Sequence, residues 1–291
     1  MTSDASDPVA APASADDHRL AVLKIAKALA PGWERQRARI ETGVAPVRRW
    51  LLQELAPEPG DVLLELAAGV GDSGFEALVA AGADARLIST DVSAEMVEVA
   101  RRRGAELELA NVDYRVMDAE RIDLDADSVD GVICRFGYML MADPEAALSK
   151  TRRVLRGGRR LVLSVWGGAE QNPWVTRLAA ALVELGRIPP PEPGGPDPFS
   201  MCNADDTKGR LERAGFETVR TAEVPVRFDF ADVDDYVSYA ADTAGPFATV
   251  LAGQSDEEAA ELKDRLREDF APFAAEGGYQ LPGLALNAVA A

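Results

Sequence analysis

Glu65-Leu-Ala-Ala-Gly69-Val-Gly71-Asp-Ser-Gly74 is the stretch on which the reading of this chain turns. It overlaps ValLeuLeuGluLeu at 62–66, a short apolar run set off by Pro57, Pro59 and Gly60, with the length and boundaries of a buried strand. A helix from Asp72 to Ala81 follows and stops at Gly82. Between strand and helix the glycines let backbone approach a ligand closely, and the helix start offers free N–H groups. Twenty residues beyond Gly71, Asp91 ends a second strand, Arg86–Asp91, where a carboxylate can accept from ribose hydroxyls. Strand, glycine loop, helix and acid together indicate a nucleoside cofactor.

Outward from this unit, strands and helices alternate. Ser93 caps a helix whose Met96, Val99 and Ala100 share one face as far as Gly104. Strands are expected at 112–117, 129–135 and 160–166, and Asp143-Pro144-Glu145 opens a helix running to Gly157. This alternation predicts an α/β fold, a doubly wound and mostly parallel sheet, with residues 57–167 as its cofactor-binding core. Upstream, Leu20, Leu23, Val47, Leu51 and Leu55 have helical spacing, so 19–56 is expected to be a helical cap. Residues 1–18, small, acidic and proline-containing, are expected to be a loose tail. Past Trp166 the rhythm changes. GRIPPPEPGGPDP at 186–198 is an irregular connection, and 168–210 reads as an insert or lid. A helix at 205–214, a strand near 216–226, helices at 232–241 and 255–270 and a strand at 284–289 would complete the sheet within 211–291, with 229–280 as a helical lid.

Composition narrows the function. The chain has 291 residues, 47% apolar and 27% charged, and a net charge of −18, so its field repels phosphate backbones and anionic headgroups. Nucleic acid and membrane are therefore not expected partners. Two cysteines, Cys134 and Cys202, provide neither a metal cluster nor a disulfide framework, and a reducing compartment follows. With no basic, apolar leader at its start and no long apolar span, the chain reads as cytoplasmic, with a homodimer allowed for.

Nicotinamide enzymes share the glycine loop and Asp91, so spacing alone leaves the cofactor open. Glu65 within the first strand and Asp118 at the end of the third favour another class. A carboxylate buried beside a glycine turn calls for a cationic or donor partner, which the ammonium and sulfonium of S-adenosylmethionine supply and a pyrophosphate does not.

The chain here resembles the class I S-adenosylmethionine-dependent methyltransferases, in particular the ubiquinone/menaquinone-biosynthesis-like (methyltransferase type 11) group. The matching stretches are VLLELAAGVGDSG at 62–74, STDVSAEMVEVAR at 89–101, NVDYRVMDAERI at 111–122, SVDGVICRFGYMLMADPEAALSKTRRVLRGGRRLVLSVW at 128–166 and LERAGFETV at 211–219. The resemblance implies a seven-stranded sheet with its last strand antiparallel. It implies that Gly69 and Gly71 line the methionine portion of S-adenosylmethionine, or of its product S-adenosylhomocysteine, and that Glu65 holds the amino end. Asp91 would bind the ribose, Val92 and Met96 would flank the adenine, and Asp118 and the Ala119 N–H would meet the adenine edge. Arg135 stands at the carboxyl end of the fourth strand, where such sheets bind ligands.

Many relatives acting on hydroxyls carry a histidine just after the fourth strand, whereas this segment reads CysArgPheGlyTyrMetLeuMetAlaAspPro, and the single histidine, His18, falls in the expected tail. Proton removal is therefore assigned to Glu170 or Tyr138, with no metal. Asp91 and Asp118 have simpler alternatives as a helix cap and a turn residue, and Arg101–Arg103 reads as a solvated helix face. The favoured function is methyl transfer to a small, largely apolar metabolite at oxygen, carbon or nitrogen, in quinone or secondary metabolism. A non-methylating cyclase or regulatory protein that binds the same cofactor is the alternative, and an NAD-dependent oxidoreductase a weaker one.

Overall fold

The computed structural model describes residues 14–190 and 197–291. Residues 1–13 of the expected tail and 191–196 of the proline-rich stretch lie outside the described residues. In chain order the elements are α1 (Ala15–Gly43), α2 (Ala45–Leu55), β1 (Val62–Glu65), α3 (Asp72–Ala81), β2 (Arg86–Asp91), α4 (Ala94–Glu106), β3 (Val112–Val116), β4 (Val129–Arg135), α5 (Pro144–Val154) and β5 (Leu155–Trp166). Then come α6 (Pro173–Glu184), α7 (Ala204–Arg213), β6 (Val219–Phe230), α8 (Val233–Thr243), α9 (Pro246–Ala252), α10 (Asp256–Phe270), the two-residue β7 (Ala274–Ala275) and β8 (Gly278–Ala290).

The sheet runs β3-β2-β1-β4-β5-β8-β6. Its first five strands are parallel, and β8 inserts antiparallel between β5 and β6. The doubly wound, mostly parallel sheet is thus present, with β7 an added short partner of β8. Strand order reverses between β1 and β4, so a crevice opens at the carboxyl ends of these strands, where ligands of such sheets bind. Leu63, Leu64, Val132, Leu161, Val162 and Leu163 are fully buried, as strands covered on both faces must be.

Several boundaries differ from the sequence expectation. Helix α1 starts at Ala15, inside the expected tail, because Ser14 and Asp17 form a capping box: Ser14 Oγ accepts from the Asp17 N–H at 3.1 Å and Asp17 Oδ2 from the Ser14 N–H at 3.2 Å. His18 therefore sits in a helix, its Nε2 2.9 Å from the Leu140 carbonyl oxygen. The helix expected to run to Gly157 ends at Val154, since Leu155 already pairs with Val129 and the chain bulges before Arg160 meets Gly131. Gly158, at φ +73°, turns that bulge instead of closing a helix. Helices α6 and α9 were not expected; α6 buries Leu178, Ala181 and Leu182 against β8 and α10. Near its middle α1 crosses α8 so closely that a Cβ on Gly32 would lie 1.9 Å from the Asp242 carbonyl oxygen, which only glycine permits.

Candidate cofactor crevice

The turn after β1 is held by backbone bonds from Leu66 N–H to the Ile133 oxygen and from Ala68 N–H to the Thr90 oxygen, both 2.9 Å. Ala67, Gly69 and Gly71 take positive φ of 50°, 54° and 88°. A Cβ on Gly69 would meet nothing within 4 Å, so that glycine borders open space, whereas one on Gly71 would strike the Phe75 ring at 2.6 Å. The loop is thus built to leave room above Gly69.

Glu65, 2% exposed, accepts from the Gly74 N–H through Oε1 at 2.8 Å, while Oε2 has no hydrogen-bond partner among the described residues. Burial pushes its carboxyl up to about 8, opposed by the Gly74 bond and the Arg135 charge and reinforced by Asp72 and Asp91. Asp91, also buried, accepts from the Gly69 N–H through Oδ2 and the Ser93 N–H through Oδ1, each 2.9 Å, and desolvation raises its pKa. A carboxylate has about four lone-pair sites, so two remain for a pair of hydroxyls. The helix cap is Ser93, whose Oγ accepts from the Met96 N–H at 3.3 Å. Asp91 thus ties the glycine loop to the start of α4.

Val92 is half-buried, and Met96 packs with Val70, Val99 and Ala30 beside Leu29 and Trp33 of α1. Asp118 opens the 3-10 turn Ala119–Arg121, its Oδ1 accepting from the Glu120 N–H at 2.9 Å, which is the turn role weighed for it. Its other oxygen makes no hydrogen bond among the described residues. Ala119 is buried beside it. Arg135 donates to Glu41 of α1 at 2.7 Å, and its Nη1 is buried without a partner among the described residues.

Two expectations are corrected. Tyr138 is fully buried, its hydroxyl 2.7 Å from Thr151 Oγ1 on α5, and desolvation raises its pKa well above the ordinary value, so it is no base for a substrate in the crevice. Arg103 does not belong to a solvated face. It is 7% exposed, donating to the Val70 oxygen and, at 2.7 Å, to Asp72 Oδ1, which Arg37 of α1 also reaches at 2.8 Å. Glu170 lies in the exposed turn Ala169–Gln171 after β5, with no hydrogen bond from its carboxylate among the described residues.

Sequence reading missed how far α1 reaches. Arg19 donates to the buried Glu120 at 3.0 Å, Glu120 accepts from the Ala142 N–H at 2.9 Å, and His18 contacts Leu140, so the first turns of α1 join the loops after β3 and β4. No local signal marks the two pairs made by α1, whose partners lie 101 and 122 residues apart.

Residues 63–158 match the family described as methyltransferase domain. These residues form a methyltransferase domain. Among curated relatives, an arsenite methyltransferase of Halobacterium salinarum is 29% identical over 172 residues, 57% of this chain and 40% of its own length. A ubiquinone/menaquinone biosynthesis C-methyltransferase of Rubrivivax gelatinosus is 39% identical over 117 residues, 40% of this chain and 44% of its own. The chain thus spans under half the length of these relatives. The YcgJ protein of Bacillus subtilis shares the fold, with a TM-score of 0.55 and 18% identity over 84% of this chain and 96% of that one.

The methyltransferase cofactor is S-adenosylmethionine, and the residues present fit it: an orphaned carboxylate oxygen on Glu65 for an ammonium, open space above Gly69, and spare lone pairs on Asp91 for ribose. Asp91→Ala is expected to weaken S-adenosylhomocysteine binding at least about 100-fold, since two charge-assisted bonds of about 1.5–3 kcal/mol each are lost. Calorimetry checks this, and a change under threefold would remove Asp91 from the site.

Proposed function

We propose that this protein transfers a methyl group from S-adenosylmethionine to a small, largely apolar acceptor. The observation that carries the reading is the pair of carboxyl groups with capacity left beside the glycine loop. Glu65 and Asp91 are both buried, Asp72 being already paired with Arg103 and Arg37, and the field of Asp72 and Asp91 adds to the raised pKa of Glu65. Such a site favours a cationic ligand and opposes the pyrophosphate of a dinucleotide, which separates it from the oxidoreductase reading.

When bound, the cofactor supplies a methyl group on a positively charged sulfur. Transfer forms a bond from the acceptor to the methyl carbon and breaks the carbon–sulfur bond, whose electron pair stays on sulfur. The protein has to align the acceptor and exclude water. Its means are an aromatic wall at the carboxyl ends of β4, β5 and β6. Phe136 stacks on Trp166 with ring centroids 3.9 Å apart, and Trp174 meets Trp166 edge-on at 5.0 Å and Phe228 at 4.3 Å. This wall supports a flat, apolar acceptor, and Phe136 is held there at a φ of +58°, a conformation a bulky residue rarely adopts.

Where the acceptor must lose a proton, Glu170 accepts it from the loop leaving β5. Glu170→Gln is expected to lower turnover by roughly 100-fold with cofactor affinity unchanged. Unchanged turnover would leave alignment as the mechanism. The activity itself is tested by incubating the protein with methyl-labelled S-adenosylmethionine and flat phenols, quinols and amines, and following label into product. Cofactor bound without transfer to any of them would favour a non-methylating role.

A further inference from the structure

Beyond Arg135 the crevice face of the sheet carries a polar pair that the cofactor does not need. Register pairs Arg135 with Ser164 on β5 and Ser164 with Asn287 on β8, so the three side chains stand side by side on one face. Ser164 and Asn287 are fully buried. Neither Ser164 Oγ nor either polar atom of the Asn287 amide has a hydrogen-bond partner among the described residues. Burying such groups unpaired costs about 1–3 kcal/mol each, so their presence asks for a partner.

Position says which partner. The glycine loop leaves β1, and β8 lies three strands away, roughly 14 Å at about 4.8 Å per strand. The pair is therefore on the acceptor side, two residues down β5 from Trp166 of the aromatic wall. Its chemistry is neutral: hydroxyl and amide both donate and accept, and no full charge is added. We infer that Ser164 and Asn287 hold a neutral oxygen substituent, a hydroxyl or carbonyl, of a planar acceptor whose ring lies against the half-buried Phe136, which stacks on Trp166. The pair is covered by α2, which packs on both β5 and β8, and the α1–α2 joint beside it is held by Glu41, which binds Arg135 at 2.7 Å and Arg48 at 3.0 Å, so that joint has to yield for the oxygen to enter. This inference rests on the methyltransferase reading for the acceptor's identity as substrate, though not for the pair's preference for oxygen.

The test uses 2-naphthol and 2-methylnaphthalene, equal in shape but differing in the hydroxyl, by equilibrium dialysis against the whole protein with and without S-adenosylhomocysteine. The native protein should retain 2-naphthol about 10-fold more strongly, one net hydrogen bond or slightly more. Asn287→Leu and Ser164→Ala should each bring the ratio within about twofold, leave S-adenosylhomocysteine affinity unchanged and hold or raise the apoprotein Tm, because an orphaned polar group is removed. A native ratio below about twofold, variants that keep the native ratio, or a clear fall in Tm marking the pair as structural, would each overturn the inference. Failure of S-adenosylhomocysteine to bind at all would strike the cofactor reading instead, because the ratio is also measured without it.

Discussion

Glu65→Gln is expected to weaken S-adenosylhomocysteine binding about 100-fold or more while leaving the apoprotein more heat-stable than the native chain at pH 8. The binding loss follows from removing one partner of a buried ion pair, a cost of about 3–5 kcal/mol. The stability gain follows from the raised pKa of its carboxyl, about 8 in the folded protein against an ordinary 4.5. A carboxyl whose folded value is raised contributes stability that is fully present below pH 4.5 and lost as pH climbs through 8, because folding opposes its ionisation. The native apoprotein should therefore lose Tm across that window, and the Gln variant should lose less. Binding runs the other way. At pH 7 Glu65 is largely protonated, so docking an ammonium against it releases a proton, and affinity rises from pH 6 towards 8. Calorimetry in buffers of different ionisation enthalpy reads the released proton. Parallel Tm curves for the two proteins, or no proton release, would remove Glu65 from the ammonium site.

Asp72→Ala is expected to lower the Tm by roughly 10 °C, since stranding a buried charge costs about 3–5 kcal/mol and each kcal/mol is worth about 2–4 °C in a chain of this size. Arg103 is left facing the Val70 carbonyl alone, and Arg37 loses the contact that draws α1 onto the glycine loop. Adding Arg103→Met should recover a good part of the loss, because the stranded charge is removed with its partner. A fall under about 2 °C in the single variant would show that the cluster is solvated in solution. Because Val70 lies between Gly69 and Gly71 and packs with Ala30 of α1, cofactor affinity should fall in the single variant as well.

Much of the fold was legible along the chain because it is written at short range. The strand–loop–helix unit from Val62 to Ala81 and the strands at Arg86–Asp91 and Val129–Arg135 are bounded by glycines, prolines and caps that act within a few residues. The glycine turn, Glu65 and Asp91 lie within thirty residues of one another, and backbone geometry alone brings them together. The start of α1 is marked by a Ser14–Asp17 capping box, but the small, acidic composition around it points the other way, to a loose tail. Gly157 reads along the chain as a helix stop, a role glycine shares with the bulge in which it and Gly158 lie here.

Sequence alone determined a doubly wound sheet with a carboxylate-lined glycine crevice, since hydrophobic period, turn chemistry and the spacing of acids about one loop are local properties of the chain. Only the tertiary structure decided which groups are spent and which stay free. Tyr138 is consumed by Thr151, Arg103 by Asp72 and Glu120 by Arg19, whereas Glu65, Ser164 and Asn287 keep atoms without a partner among the described residues. Burial and pairing depend on neighbours brought from distant strands and from α1, and the desolvation that gives an unpaired group its chemistry exists only once those neighbours close over it.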